Sequence, residues 1–320
     1  MNSKIVLVTG TALVPTSVCD YIASQGLTVR RVEQDAFTPR ELHRALKDAS
    51  GYLIGGYEEP LAEHFEKSGR LEAVAWIGTD YKANVPGWRR AVELDIAMIS
   101  APGANATSVA EFTVLLLLAM SRSLTGGIAT PERREVPLPV PGMDLRGKRI
   151  GILGCGRIGT RVARIAGHGL GMDVAYHAPR RNLVAEHALD ITYRERDDLL
   201  ASCDVLTLHR PGPVEDEKPE LRAREFRLLR EGALLVNTAH PRLVDPDALL
   251  AAIETKAVRA AFDGTPSGEA WSKLLSCGPD RFLSTAPMAF NTDDANLRAS
   301  MQAAEAVCKV LNNKGPARGR

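Results

Sequence analysis

Over the first hundred positions, short runs of β-branched and other apolar residues alternate with amphipathic stretches, the pattern of a parallel sheet flanked by helices. The runs predict strands at Ile5–Val8, Thr28–Val32, Tyr52–Ile54, Leu71–Ile77 and Ile96–Ile99. Helical segments fall between them, near Val18–Ser24, Glu41–Lys47, Leu61–Lys67 and Trp88–Glu93. Thr38-Pro39 reads as a cap followed by a first-turn proline. After Ala101-Pro102-Gly103, the apolar run ending at Met120 predicts a long helix buried on most faces. The stretch from Gly126 to Gly142 carries four prolines among charged residues and reads as an extended surface connection.

A second alternation then begins. It predicts strands at Lys148–Leu153, Asp173–Tyr176, Asp204–Leu208, Leu234–Asn237, Val258–Phe262 and Phe282–Ser284. Helical segments are expected from Arg157 to about Gly167, at Asp197–Ala201, near Phe226–Arg230 and at Pro246–Glu254 after the cap Asp245. A last helix, about Asp293 to Leu311, has an apolar face with no obvious place in the second sheet. Packing back on the first domain would make that domain discontinuous. The fold class expected is α/β, with two doubly wound parallel-sheet domains.

Composition supports two buried cores: 320 residues, 45% apolar and 25% charged. Lys and Arg number 40 against 39 Asp and Glu, with no basic stripe to neutralise phosphates, so a nucleic-acid partner finds no support. Cys19, Cys155, Cys203, Cys277 and Cys308 include no Cys-x-x-Cys pair, which argues against a disulfide framework and against a metal site. The expectation is a soluble protein of the reducing cytoplasm. Lys4-Ile5-Val6-Leu7-Val8 leads straight into a strand without the parts of a secretory signal. The most apolar stretch, Val114 to Met120, is far shorter than the roughly 20 residues of a membrane span.

One motif carries chemistry. Gly154-Cys155-Gly156-Arg157-Ile158-Gly159 follows a predicted strand and opens a predicted helix, the context that turns a Gly-rich turn into a dinucleotide-binding loop. Its glycines permit the turn, the backbone's approach to a pyrophosphate, and close helix–strand packing; free amides at the helix start meet the phosphate charge. The acidic residue that ordinarily ends the next strand and holds the ribose hydroxyls is missing. Tyr176-His177-Ala178-Pro179-Arg180-Arg181 stands there, and Asp173 opens the strand as a surface residue. Two guanidiniums would attract a 2′-phosphate, so NADP(H) is the expected preference, with NAD(H) possible and a solvated charge pair the bland alternative.

The order of motifs resembles the D-isomer-specific 2-hydroxyacid dehydrogenase family over nearly the whole chain. The stretches are Pro102 to Glu111, Gly154 to Gly159, Gly169-Leu170-Gly171-Met172, Leu208-His209-Arg210-Pro211, Gly232 to Ala239, Leu243-Val244-Asp245, Ala261-Phe262-Asp263 and Thr285-Ala286-Pro287. The resemblance implies a Rossmann cofactor domain at 104–289 and a flavodoxin-like substrate domain from 1–103 plus 290–320. It also implies hydride transfer in the crevice between them and a homodimer formed through the cofactor domains. His177, His209, Pro211, Thr238, Ala239 and Asp263 become cofactor contacts beside the Gly-rich loop.

The family relies on an arginine, a histidine and a glutamate, and this sequence departs at each. His240 holds the arginine position after Asn237-Thr238-Ala239, Met288 holds the histidine position after Thr285-Ala286-Pro287, and Gly268 holds the glutamate position, with Glu269 next. Imidazole cannot make the two-pronged, permanently charged grip of guanidinium, and methionine has no titratable proton. Arg242 is a replacement anchor and His240 a relocated acid, with Glu269 to orient it; a ring packed against the cofactor is the equal alternative for His240, and a solvated loop residue the stronger one for Glu269. Gly78-Thr79-Asp80-Tyr81-Lys82 would offer backbone amides to the substrate, with Tyr81 or Lys82 as a further proton donor, though ordinary exposed loop residues explain both. Asn105 either touches substrate or caps the long helix. Three functions stay open: an oxidoreductase of a small carbonyl or hydroxy compound, a reductase of a C=N or other acceptor lacking a carboxylate, and a catalytically silent NAD(P)-binding module.

Overall fold

The computed structural model describes residues 3–33, 37–128, 141–212 and 218–313. The expected proline-rich connection lies for the most part outside the described residues. The chain divides into two compact units, Met1–Asn105 with Asn291–Arg320, and Ala106–Phe290.

In the first unit, β1 (Ile5–Val8), β2 (Thr28–Arg31), β3 (Ala49–Ile54), β4 (Ala73–Trp76) and β5 (Ala97–Ser100) form a parallel sheet in the order β2-β1-β3-β4-β5. This is the flavodoxin-like order. The cap read from Thr38 is present: its hydroxyl accepts from the Glu41 amide while the Glu41 carboxylate accepts from the Thr38 amide. The helix Asp293–Asn312 belongs to this unit. Ala303, Ala304, Val307 and Leu311 share an apolar cluster with Val6, Leu53, Ala73 and Ala75. Gly51 makes room for it, since a Cβ there would lie 2.9 Å from a Val307 methyl.

The second unit holds β6 (Arg149–Leu153), β7 (Asp173–His177), β8 (Thr192–Tyr193), β9 (Val205–Leu208), β10 (Leu234–Asn237), β11 (Arg259–Asp263) and β12 (Phe282–Thr285). All pairs are parallel, in the order β12-β11-β10-β9-β6-β7-β8, and chain direction across the sheet reverses at β6. That is the doubly wound dinucleotide-binding topology extended by one strand. Each face is covered. Ile152, Val174, Tyr176 and Val236 pack with Ala110, Leu117, Met120 and Val162, whereas Leu153, Leu206, Leu235 and Phe262 pack with Leu199, Phe226, Leu249 and Leu274. Asp245 caps its helix as read from the sequence, accepting from the Asp247 and Ala248 amides.

Three differences from the sequence reading matter. The α-helix from Arg157 ends at Arg164 and widens into a π turn, Ile165–Gly169. The helix Leu183–Leu189 and the two-residue β8 follow β7, and neither is evident in the hydrophobic pattern because both are short. The long helix Ala106–Ser121 is buried on most faces, yet Leu115 and Leu118 are exposed, as are Leu124 and Ile128 beyond it.

Among the described residues no helix is long and apolar enough to cross a membrane. All five cysteines are unpaired. The strongest aromatic packing joins β11 and β12 to a helix: Phe262 lies 5.4 Å from Phe282 and 5.8 Å from Trp271, ring centre to ring centre. Phe262 is fully buried. Phe262→Ala should therefore destabilise the protein by roughly 3–5 kcal/mol, the usual cost of emptying a buried aromatic site. The measurement is urea unfolding at unchanged m-value.

Candidate functional site

The Gly-rich turn connects β6 to the helix Arg157–Arg164. Its three glycines are needed for three different reasons. Gly154 has φ +100°, and a Cβ there would lie 2.3 Å from the His209 carbonyl oxygen. Gly159 lies so close to the turn that a Cβ would meet the Gly154 carbonyl oxygen at 2.1 Å. Gly156 is different: it has φ −89°, it is exposed, and among the described residues nothing lies within 4 Å of an added Cβ. Neither backbone strain nor packing inside the protein calls for glycine at 156. A ligand approaching the backbone does, and the helix-start amides of Arg157, Ile158 and Gly159 suit an anion. Cys155 is buried, and burial raises its thiol pKa, so it stays protonated and inert.

Of the other residues read as cofactor contacts, the structure sets His177 and His209 against this turn. The His177 carbonyl accepts from the Gly154 amide, while its ring Nδ1 lies 3.0 Å from the Arg194 carbonyl and the ring leans on Tyr193. Arg180 is exposed, with no hydrogen bond or ion pair among the described residues. Arg181 pairs with Glu186. His209 is held by Thr207, whose hydroxyl lies 2.9 Å from Nε2, and burial drives its pKa down to about 3. Its Nδ1 is buried and has no partner among the described residues, an orphan polar atom at the carboxyl edge of β9 that a bound ligand would satisfy. Open space at Gly156 and the orphan nitrogen together fit a nicotinamide dinucleotide. Pro211 and Ala239 are exposed, but Thr238 is buried and spends its hydroxyl on Thr113, 2.7 Å away.

At the carboxyl end of β10, Asn237 shapes the turn. Its amide oxygen accepts from the Ala239 amide and its Nδ2 donates to the His240 carbonyl, both at 3.0 Å. Sequence reading counted Asn237 as part of a motif without giving it this task. The His240 ring is half-buried, stands 2.8 Å from where a Gly212 Cβ would be, and accepts through Nδ1 from the Arg242 amide at 3.1 Å. Neutral His240 therefore carries its proton on Nε2. Burial, then the Arg242 charge, lower its pKa. The Arg242 side chain is exposed.

Glu269 and Met288 sit elsewhere. Glu269 is not on a loop: it opens the helix Glu269–Ser276, its carboxylate 2.9 Å from Lys273 one turn on, and that hydrogen bond holds its pKa down. The structure brings it to Lys273 and gives it no contact with His240 among the described residues. Met288 is exposed, its amide bonded to Asp263 Oδ1 at 2.9 Å. Asp263 also accepts from Thr285 Oγ1 and the Ala289 amide, so the carboxylate is occupied in shaping its own neighbourhood.

In the first unit, Gly78 lies under Trp76, whose indole nitrogen would be 2.1 Å from a Cβ. Thr79 is exposed, and Asp80 caps the next turn by accepting from the Lys82 amide at 2.9 Å. The Tyr81 amide donates to Ser100, and Lys82 lays its ammonium 5.3 Å from the centre of a Trp88 ring. Asn105 is partly buried. Among the described residues no cluster of His, Cys, Asp and Glu could hold a metal ion.

Comparisons with known proteins bear on the family and the fold. Residues 114–277 match the family model described as "D-isomer specific 2-hydroxyacid dehydrogenase, NAD binding domain". The chain is 34% identical over 236 residues to a glyoxylate reductase of Aeropyrum pernix, covering 71% of this chain and 70% of that one. It is 30% identical to a D-3-phosphoglycerate dehydrogenase of Methanocaldococcus jannaschii across 87% of its own length, and spans only about half (52%) of that relative. Among solved structures, the TT0316 protein of Thermus thermophilus superimposes with a TM-score of 0.80 at 26% identity, over 98% of each chain.

The glycines predict two opposite results. Gly156→Val should fold, melting within a few degrees of the wild type, and lose dinucleotide binding in calorimetric titration, because among the described residues its side chain enters only open space. Gly159→Val should fail to fold or melt far lower, since it collides with the Gly154 carbonyl.

Proposed function

The chain belongs to the D-isomer specific 2-hydroxyacid dehydrogenase family, and from that premise we propose an NAD(P)-dependent oxidoreductase that moves a hydride to or from a small carbonyl or hydroxy substrate of the 2-hydroxyacid type. NADP(H) is the preferred nucleotide and NAD(H) is accepted. The observation that carries this reading is the complete dinucleotide turn with its unfilled face at Gly156. In this reading the unit Ala106–Phe290 is the cofactor domain and the other unit the substrate domain.

When bound, the nicotinamide supplies or accepts the hydride. The chain's own residues do the rest. The turn from Gly154 to Gly159 holds the phosphates through its amides. Arg180, exposed three residues beyond the end of β7, a strand end without the usual acid, favours a 2′-phosphate. His177, His209, Pro211, Ala239 and Asp263 border the nucleotide. His240 acts at the substrate oxygen. With Nδ1 tied to the Arg242 amide, the neutral ring presents Nε2–H as a hydrogen-bond donor that polarises a carbonyl; protonation at Nδ1 releases that tie, and the imidazolium then gives its Nε2 proton to the substrate oxygen, leaving the Nδ1–H tautomer. Arg242 supplies the permanent positive charge that imidazole lacks for an anionic substrate group.

The reductive direction needs protonated His240, and its pKa is depressed below the ordinary 6.5. Turnover of a 2-keto acid with NADPH should therefore rise as pH falls below 6.5 and level off lower still. His240→Ala should cut turnover by about a hundredfold or more, remove that pH limb, and leave nucleotide affinity nearly unchanged. A wild type inactive on every 2-keto acid, aldehyde and ketone in a broad panel would overturn the reading.

A homodimer through the cofactor domain completes the proposal. It is supported by Leu115 and Leu118, one helical turn apart and 52% and 40% exposed, with Leu124 and Ile128 close behind in sequence. Leu115→Glu with Leu118→Glu should shift the protein from dimer to monomer in size-exclusion chromatography with light scattering.

A further inference from the structure

The two arginines after β7 are not equivalent. Arg181 is engaged on two sides. Its Nε lies 3.1 Å from Glu186 Oε1, an Nη donates to Glu186 Oε2, and its guanidinium sits 5.3 Å from the centre of the Tyr193 ring. Glu186 is the more enclosed partner: its side chain is 15% exposed against 55% for Arg181. The same carboxylate accepts from the Tyr176 hydroxyl at 2.5 Å. That hydroxyl in turn accepts from the Asn182 amide at 2.7 Å, and Asn182 Nδ2 reaches the Cys155 carbonyl, 3.1 Å away in the phosphate turn. The result is a continuous path of hydrogen bonds from Arg181 to the backbone of the dinucleotide loop. Arg180 stands outside it.

We infer that Glu186 is a specificity-determining positioning residue: it holds Arg181 in the frame of the loop, so that Arg180 alone reads the 2′-phosphate of NADP(H). The inference rests on the nucleotide-binding reading given above and refines it. A guanidinium paired to a nearby carboxylate presents little net charge to a phosphate dianion, and reorienting it would leave Glu186 with one partner fewer. Glu186 thus tempers the preference for NADP(H) that two free arginines would create. It also fixes the loop mechanically, because the Tyr176 hydroxyl joins the carboxylate to Asn182 and hence to Cys155.

The test is fluorescence titration of NADPH and NADH against the full-length wild type, Arg180→Ala, Arg181→Ala, Glu186→Gln and Glu186→Gln/Arg181→Ala, each checked for folding by circular dichroism. Glu186→Gln removes the charge while keeping an acceptor for Tyr176. It should raise the ratio of NADPH to NADH affinity at least threefold, and the added Arg181→Ala should abolish that gain. Arg181→Ala alone leaves the Glu186 carboxylate uncompensated and should lower the ratio only about threefold, the mirror of the Glu186→Gln gain, whereas Arg180→Ala should lower it at least tenfold. A folded Glu186→Gln with an unchanged ratio would overturn the inference, as would an Arg181→Ala that loses NADPH selectivity as far as Arg180→Ala does. Should Glu186→Gln not fold, the two exposed arginine variants decide the matter alone. A wild type favouring NADH overturns the NADP(H) reading itself, and the direction of the Glu186→Gln shift still distinguishes the two failures.

Discussion

The closest approach in the cofactor-binding turn is between the backbone of Gly159 and the carbonyl of Gly154, near enough that no side chain fits between them. This contact sets how steeply the helix leaves the sheet and therefore where its first amides point. Because β6 lies between β7 and β9, the turn stands where chain direction across the sheet reverses and neighbouring connections diverge to opposite faces. His209 closes one side through its backbone, against Gly154, and Asn182 closes the other through its amide to Cys155. A loop so tied from both flanks is organised before any ligand arrives, which lowers the ordering cost of binding.

Two buried or half-buried polar side chains at strand ends play parallel parts farther along the sheet. Asn237 ends β10 and Asp263 ends β11; each spends its hydrogen bonds on the backbone of the loop that follows or faces it. Side chains of this kind convert a strand end into a defined loop conformation, because leaving either group unpaired at the sheet edge would cost more than the loop's freedom gains. They act through geometry, setting the backbone from which His240 and Met288 project.

Much of this architecture was legible from periodicity alone. The strand pattern located eleven of the twelve strands among the described residues, and Thr38 and Asp245 announced their helices because capping is a local interaction. The Gly-x-Gly-x-x-Gly spacing was readable for the same reason. Legibility failed where the deciding interaction is not local in pattern. β8 has two residues, too few for alternation to show. Glu269 looked like a loop acid because Gly264 to Gly268 precedes it; the helix forms because Trp271 and Leu274, one turn apart, bury one face and Lys273 pairs with Glu269 on the other. The proton of His240 was beyond sequence reading, since its tautomer is set by a backbone amide two residues away in a turn built by Asn237.

Gly156 carries a consequence for stability. It is the N-cap of its helix, a position that tolerates glycine far better than alanine. An alanine here sets a smaller unfolded-state entropy against a poorer cap, two opposing effects of roughly 1 kcal/mol or less. Stability is thus nearly indifferent to the residue at 156, and what needs the position bare is the dinucleotide that approaches its backbone.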